Sequence, residues 1–308
     1  MLGSVTMRRA SPSRFVRWSA ITIAAAVVAC GAGTGEPREP AASADTTPAA
    51  VGSASPTTGT SYTGLLSEEA FKAIHELKAD RAPAPRGQEV QVEGSTAYLS
   101  LPLDAKAPLP GVVVIHEWWG LNEHIRHWTD RLAEDGYAAL AVDLYGGKVA
   151  ANADDAMAAM KAVNDEGALK ILRGANRFLE TDPRTRSPRT GSIGWCFGGA
   201  WSLQLAMHEP ALDAAVIYYG RLVTDVAALQ AIRAPVLGVF GNKDGGIPPK
   251  AVDEFDKALH EAGVMHSILR YDADHAFANP SGKRYDEKAA EDAWKHVRAF
   301  LAMHLKDG

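Results

Sequence analysis

Cysteine is scarce in this 308-residue chain, which has two, Cys30 and Cys196. A disulfide framework is thereby excluded, and an interior thiol needs another reason to be present. Excess charge of either sign is also missing: Lys and Arg number 32 against 37 Asp and Glu, for a formal net charge of −5. No basic run interleaves with aromatics, which excludes nucleic acid as a partner. Long hydrophobic runs are lacking too. The stretch "AITIAAAVVAC" (Ala20–Cys30) falls well short of the ~20 residues a bilayer-spanning helix needs. His116, His124 and His127 lie close in sequence, but they bring no thiolate and no HExxH spacing, so no metal site is expected on them.

What residues 1–30 do contain is a basic start followed by that short apolar stretch. Arg8, Arg9, Arg14 and Arg17 precede it and no acid does. The pattern reads as a secretory signal. It ends in "VVAC" (Val27–Cys30) with Gly31 next, which resembles a bacterial lipobox, so Cys30 is the expected lipidation site. A plain signal peptide cut near Ala29, or an anchor that is never cut, is the alternative. Residues 31–63 are mainly Gly, Ala, Ser, Thr and Pro. They offer too little apolar surface to offset ordering entropy and read as a disordered tether. The expected product is an exported lipoprotein at the bacterial cell envelope, touching the membrane only through its lipid.

From residue 64 to residue 308 the pattern is that of one folded domain. "LLSEEAFKAIHELKA" (65–79) has helical spacing and predicts a short N-terminal amphipathic helix. Glu89–Glu93 and Thr96–Pro102 alternate as half-wet strands do. Strands are then expected at 111–116, 137–145, 190–195, 214–220, 234–241 and 266–271. Helices are expected at 122–135, 153–179, 198–208, 249–262 and 287–305, with Asn122 capping the first of them. "GVVVIH" is apolar throughout, as a strand covered on both faces must be. Strand and helix alternate, which predicts an α/β fold with a doubly wound, mostly parallel sheet flanked by helices.

Cys196 lies in "GSIGWCFGGA" (191–200), where a predicted strand gives way to a helix. Gly194-Trp195-Cys196-Phe197-Gly198 fits G-x-nucleophile-x-G, the sharp turn that exposes a nucleophile above a sheet. Its glycines are needed because side chains there would strike the neighbouring strand and helix. The helix N-terminus favours negative charge on the sulfur. A buried, inert cysteine in a tight turn is the plainer possibility. Two later residues weigh against it. Asp244 follows one strand in "GNKDGGIPP" and His275 follows the last in "DADHAF". The order nucleophile, acid, histidine is that of the α/β-hydrolase fold, and strand C-terminal ends are where such sheets hold their sites. Asp272 and Asp274 are rival acids, but they lie too near His275 in sequence to present a carboxylate to its far nitrogen.

The motifs "HEWWGLNEHIRHWTDRLAEDGYAALAVDLYGG" (116–147), "GSIGWCFGG", "YYG" (218–220), "GNKDGGIPP" and "DADHAFANP" resemble the dienelactone hydrolase family of α/β-hydrolases over residues 88–305. The resemblance implies a carboxylic ester or lactone hydrolase working without a cofactor. It implies Cys196 as nucleophile with Asp244 and His275, and Glu117 as an auxiliary carboxylate that holds the resting thiol. It implies an oxyanion hole of the Phe197 and Trp118 N–H groups. Asn279 stands where the best-known members carry an arginine for the substrate carboxylate, so an anionic lactone is not implied.

Among the remaining residues, His116 is expected to orient its loop by a hydrogen bond. Asp143 is expected to be structural. Trp118, Trp119 and Trp195 are candidates for an apolar pocket. The expected substrate is a small-molecule ester or lactone. The alternatives are a binding lipoprotein that kept the fold without the chemistry, and a thioester or peptide hydrolase on the same residues.

Overall fold

In the computed structural model, residues 64–78 and 82–306 are described. The expected signal segment with Cys30, and the expected tether over 31–63, lie outside the described residues. A short helix α1 (Glu68–Ile74) comes first, capped by Ser67, whose side chain accepts from the Ala70 N–H. Then come β1 (Gln88–Val92), β2 (Ser95–Ser100), β3 (Gly111–Ile115), α2 (Glu123–Glu134), β4 (Ala138–Val142), α3 (Ala153–Lys161) and α4 (Asp165–Thr181). The second half holds β5 (Thr190–Trp195), α5 (Phe197–His208), β6 (Ala214–Tyr218), α6 (Val226–Leu229), β7 (Val236–Gly241), α7 (Pro249–Glu261), β8 (His266–Tyr271) and α8 (Glu287–Leu305).

One eight-stranded sheet runs in the order β1-β2-β4-β3-β5-β6-β7-β8. The β1–β2 hairpin and the β2–β4 pair are antiparallel, and every later pairing is parallel. All residues of β3, β4, β5, β6 and β7 are buried, whereas β1 and β8 at the sheet edges are partly exposed. Helices on both faces explain why the central strands read as unbroken apolar runs. This is the α/β-hydrolase fold that the order of motifs implied.

Two helical boundaries differ from expectation. The single region expected over 153–179 is two helices, because Asn164 accepts from the Gly167 N–H at 2.8 Å and starts a new helix there. The four-residue α6 was not expected; Asp225 caps it. Asn122 caps α2 as its type suggested. No helix among the described residues is long and apolar enough to cross a membrane.

Two buried polar residues tie the framework together. Asp130 on α2 accepts from Tyr98 Oη at 2.9 Å and Ser100 Oγ at 2.6 Å, pinning that helix to β2. Asp143, just past β4, accepts from the Tyr145 and Gly147 N–H groups, which is the structural role expected of it. Residues 64–78 are strapped to loops at the C-terminal ends of the late strands. The Leu65 N–H donates to the Gly246 carbonyl at 3.1 Å, the Lys78 N–H to Ser281 at 2.6 Å, and the Lys283 N–H to Glu76 at 3.1 Å.

Candidate active site

The strand β5 ends at Trp195 and α5 begins at Phe197, so the whole turn between them is Cys196. Its backbone has φ 54° and ψ −113°. A β-carbon carrying a side chain there is strained by about 1–3 kcal/mol, which the surroundings must hold. The Cys196 N–H donates to the Tyr218 carbonyl of β6 at 3.0 Å and helps to do so. Close packing explains the glycines on either side. A β-carbon on Gly194 would strike the Gly198 backbone, and one on Gly198 would strike the carbonyl oxygens of Ile115 and His116. The second clash shows that the first turn of α5 lies directly against the end of β3.

His275 lies in the loop after β8 and Asp244 in the loop after β7. The His275 Nδ1 donates to Asp244 Oδ2 at 2.6 Å. The other Asp244 oxygen accepts from the N–H groups of Gly246 at 2.8 Å and Ile247 at 3.0 Å. Burial opposes charge on Asp244, but His275 and these two donors outweigh it and hold the carboxyl below the usual aspartate range. Burial likewise opposes charge on His275, and Asp244 and the Cys196 sulfur overcome it, so the imidazole is held well above the ordinary histidine range. The His275 Nε2 is buried without a hydrogen-bond partner among the described residues. The rival acids face elsewhere: Asp272 pairs with Lys243 at 3.0 Å and Asp274 with Arg284 at 2.9 Å.

A second histidine reaches the sulfur. His75, the residue that closes α1, places Nε2 3.2 Å from Cys196 Sγ, while its Nδ1 donates to the Phe71 carbonyl at 2.7 Å. One donor atom from each of His75, Cys196 and His275 lies within 4.8 Å of the others. The 3.2 Å separation is that of a hydrogen bond from a thiol, so His75 and Cys196 are bonded and His275 stands near them without sharing that bond. Nothing in the sequence pointed to His75. A single histidine on an amphipathic helix gives no sign of which residue, 121 positions away, it will face.

Glu117 follows β3. Its Oε2 accepts from Asn279 Nδ2 at 2.7 Å. Burial pushes its carboxyl up to about 7, against the pull of His275 and the Asn279 amide. Its expected thiol-holding role meets a different arrangement, because the sulfur's hydrogen bond goes to His75. The neighbouring His116 is fully buried. It donates from Nδ1 to the Glu117 carbonyl at 2.7 Å and accepts the Leu144 N–H at Nε2 at 3.1 Å, so it joins the loops after β3 and β4. Both nitrogens are used in the neutral form, and burial keeps the ring below the ordinary histidine range. Phe197, as the first residue of α5, has an N–H with no acceptor inside its helix. Trp118 is in the loop after β3, on the side where α5 begins.

Beside Cys196 and His275 opens a cavity of about 260 Å³. Phe71, Ile74, Leu169, Phe197, Trp201 and Ile247 supply most of its apolar wall. The tryptophans expected to line it do not. Trp195 stacks on Tyr218 and packs against Trp128 of α2, while Trp118 packs against Phe71 and Trp119. Trp201, one turn into α5, takes that place.

Comparison with known proteins fits this geometry. The family model described as the dienelactone hydrolase family matches residues 96–305. A protein of Methylorubrum extorquens, provisionally named a carboxymethylenebutenolidase, is 33% identical over 68% of this chain and 76% of its own length. One from Bradyrhizobium, provisionally named a 2-oxo-3-(5-oxofuran-2-ylidene)propanoate lactonase, is 30% identical over 69% of this chain and 91% of its own. The crystal structure of a Klebsiella pneumoniae protein, provisionally described as a dienelactone hydrolase, superposes with a TM-score of 0.65 at 32% identity, covering 71% of this chain and 99% of the other. The chain belongs to the dienelactone hydrolase family.

Proposed function

We propose that the protein hydrolyses carboxylic esters or lactones through a thioacyl-enzyme formed on Cys196. His275 removes the thiol proton, and Asp244 holds the imidazole in the tautomer this requires. The thiolate attacks the substrate carbonyl carbon. The developing oxyanion is received by the Phe197 and Trp118 N–H groups, each donor being worth about 3–4 kcal/mol. His275 then gives its proton to the leaving alkoxide. It next activates a water that frees the acid and restores the thiol. Apart from the substrate and a water, every group in the proposed cycle is a side chain or backbone N–H of this chain, and no step calls on a cofactor.

The observation that carries this reading is the strained elbow of Cys196 beside a His275 whose Nδ1 is bonded to Asp244 at 2.6 Å and whose Nε2 has no partner among the described residues. The apolar cavity favours a small substrate with a short acyl chain or ring. The signal and lipobox pattern supports export to the bacterial envelope with a lipid on Cys30, and Cys30→Ala is expected to abolish incorporation of a labelled fatty acid. The hydrolase reading is tested with short-chain p-nitrophenyl esters and a lactone panel. Turnover is expected for the native protein and not for Cys196→Ala, and equal turnover by the two would overturn it.

A further inference from the structure

The hydrogen bonds around Cys196 include a histidine that the proposed cycle does not use. His75 precedes the segment matched by the family model, and its side chain is almost wholly buried, with the residue 6% exposed. The bond from its Nδ1 to the Phe71 carbonyl fixes the tautomer and leaves the Nε2 lone pair facing the sulfur. The ring is wedged between Trp118, at 4.7 Å between centroids, and His275, at 5.1 Å. Glu117, which the family resemblance casts as the thiol's resting partner, is bonded to Asn279.

We propose that His75 is a positioning residue that holds the resting Cys196 thiol by accepting its S–H hydrogen, and that it yields this hydrogen to His275 when an acyl group enters the cavity. This rests on the reading of Cys196 as the nucleophile.

An acceptor suited to this task must bond the hydrogen without taking it. Burial and the adjacent His275 lower His75 to about 3, with Arg284 acting in the same direction and Asp244 in the other. These are the ionisable groups that act on it from the loops after β8 and β7 and before α8, together with the Cys196 thiol from the start of α5. His75 therefore stays neutral and keeps the Nε2 lone pair with which it accepts the S–H hydrogen. His275, carrying Asp244 on its far side, is the strong base. The hydrogen has one bonded acceptor, His75, and the stronger base, His275, has a ring nitrogen within 4.8 Å of the sulfur. When the hydrogen turns to His275 Nε2 and transfers, the S–H bond breaks, an N–H bond forms on His275, and the electron pair remains on sulfur.

The cavity supplies the trigger. Phe71 and Ile74 line it and belong to the same helix that His75 closes. An acyl chain that presses on this wall also presses on the residue holding the thiol. The cost of a nucleophile shielded in this way is a slower first step, and the gain is protection from adventitious electrophiles.

The test follows alkylation of Cys196 by iodoacetamide across pH, with the modified peptide quantified by mass spectrometry in the full chain. His75→Phe keeps a ring in the wedge and removes the acceptor. Its alkylation midpoint is expected to fall to lower pH, with several-fold faster labelling near neutrality. His75→Gln restores an acceptor and is expected to return the midpoint toward the native one. Thermal melts check that both variants fold, and the glutamine variant serves if the phenylalanine variant does not, since its midpoint is then compared with the native one directly. A His75→Phe midpoint equal to the native one overturns the proposal, as does faster labelling by one constant factor at every pH, because that pattern reports access alone. If only the glutamine variant folds, a midpoint displaced as far as a complete loss of the acceptor would displace it overturns the proposal too. The readout is the thiol itself. It can therefore fail while Cys196→Ala still supports the hydrolase reading, or succeed while that reading fails.

Discussion

Asn279 binds Glu117 through a 2.7 Å hydrogen bond that joins the loop after β8 to the loop after β3. The amide offers the carboxylate one neutral donor and no compensating charge, so burial governs its protonation and Glu117 titrates near 7.

Burial of this carboxyl sets a pH dependence of stability. Unfolded, the carboxyl titrates near 4.5, and folded, near 7. Between those values the folded chain keeps a proton that the unfolded chain has released. Stability therefore falls as pH rises through the window, and the full penalty is present above about 7. A tenfold change in proton affinity is worth about 1.4 kcal/mol, and Glu117 is partly open to solvent, so Glu117→Gln is expected to be more stable than the native chain by about 1–3 kcal/mol near pH 8 and equal to it near pH 4. Urea melts at the two pH values give the comparison; a gain of the same size at both would show that the charge is not its source.

Asp244→Asn addresses the imidazole's orientation. The asparagine can still occupy the loop and accept from the Gly246 and Ile247 N–H groups, but it carries no charge to support an imidazolium. A fall in kcat of about a thousand- to ten-thousand-fold is expected, with KM and the melting temperature little changed. Steady-state kinetics on a p-nitrophenyl ester measures it, and a loss below tenfold would remove Asp244 from the cycle.

Gly198→Ala tests the packing of the elbow. Its β-carbon would meet the carbonyl oxygens of Ile115 and His116, both backbone atoms at the end of a central strand that cannot step aside. A loss of about 2–4 kcal/mol is expected from the urea midpoint, together with loss of ester turnover, because the Phe197 N–H moves with the helix. A fully stable, active Gly198→Ala protein would contradict the close approach of α5 to β3.

Cavity size is expected to set acyl-chain preference. Phe71→Ala removes an apolar wall and should move the best substrate to longer acyl esters, at a stability cost of about 3–5 kcal/mol or somewhat less beside an open cavity. Ala200→Leu, from the facing helix, fills the same space and should move it to shorter ones. Specificity constants over a p-nitrophenyl series from acetate to decanoate read both changes, and identical profiles for the two variants would place the acyl group elsewhere.

Much of this arrangement was legible in the amino-acid order. Cys196 and Asp244 each follow a strand whose unbroken apolar run marks it as interior, His275 follows the edge strand β8, and in a parallel sheet those loops share one edge. Short-range chemistry, such as the Asn122 cap, was equally readable. Contacts between elements far apart in sequence were not. His75 reaches Cys196 because α1 is strapped across the loops near Gly246 and Ser281, and no local pattern encodes that docking. The tryptophans misled for a related reason. Residue type gave Trp195 a place in the pocket, whereas its ring packs against Trp128 of α2 and Tyr218 of β6, outside the cavity lining. The break at Asn164 was hidden because helical spacing continues on both sides of it.

The strap formed by residues 64–78 lies ahead of the segment that the family model matches, yet it furnishes Phe71 and Ile74 to the wall around the sulfur. Part of the cavity wall and one contact to the sulfur are thus carried by a piece of the polypeptide outside the matched segment. Exchanging that short leading piece is expected to change both the shape of the cavity and the setting of the thiol, while leaving the sheet, the elbow and the aspartate–histidine pair in place.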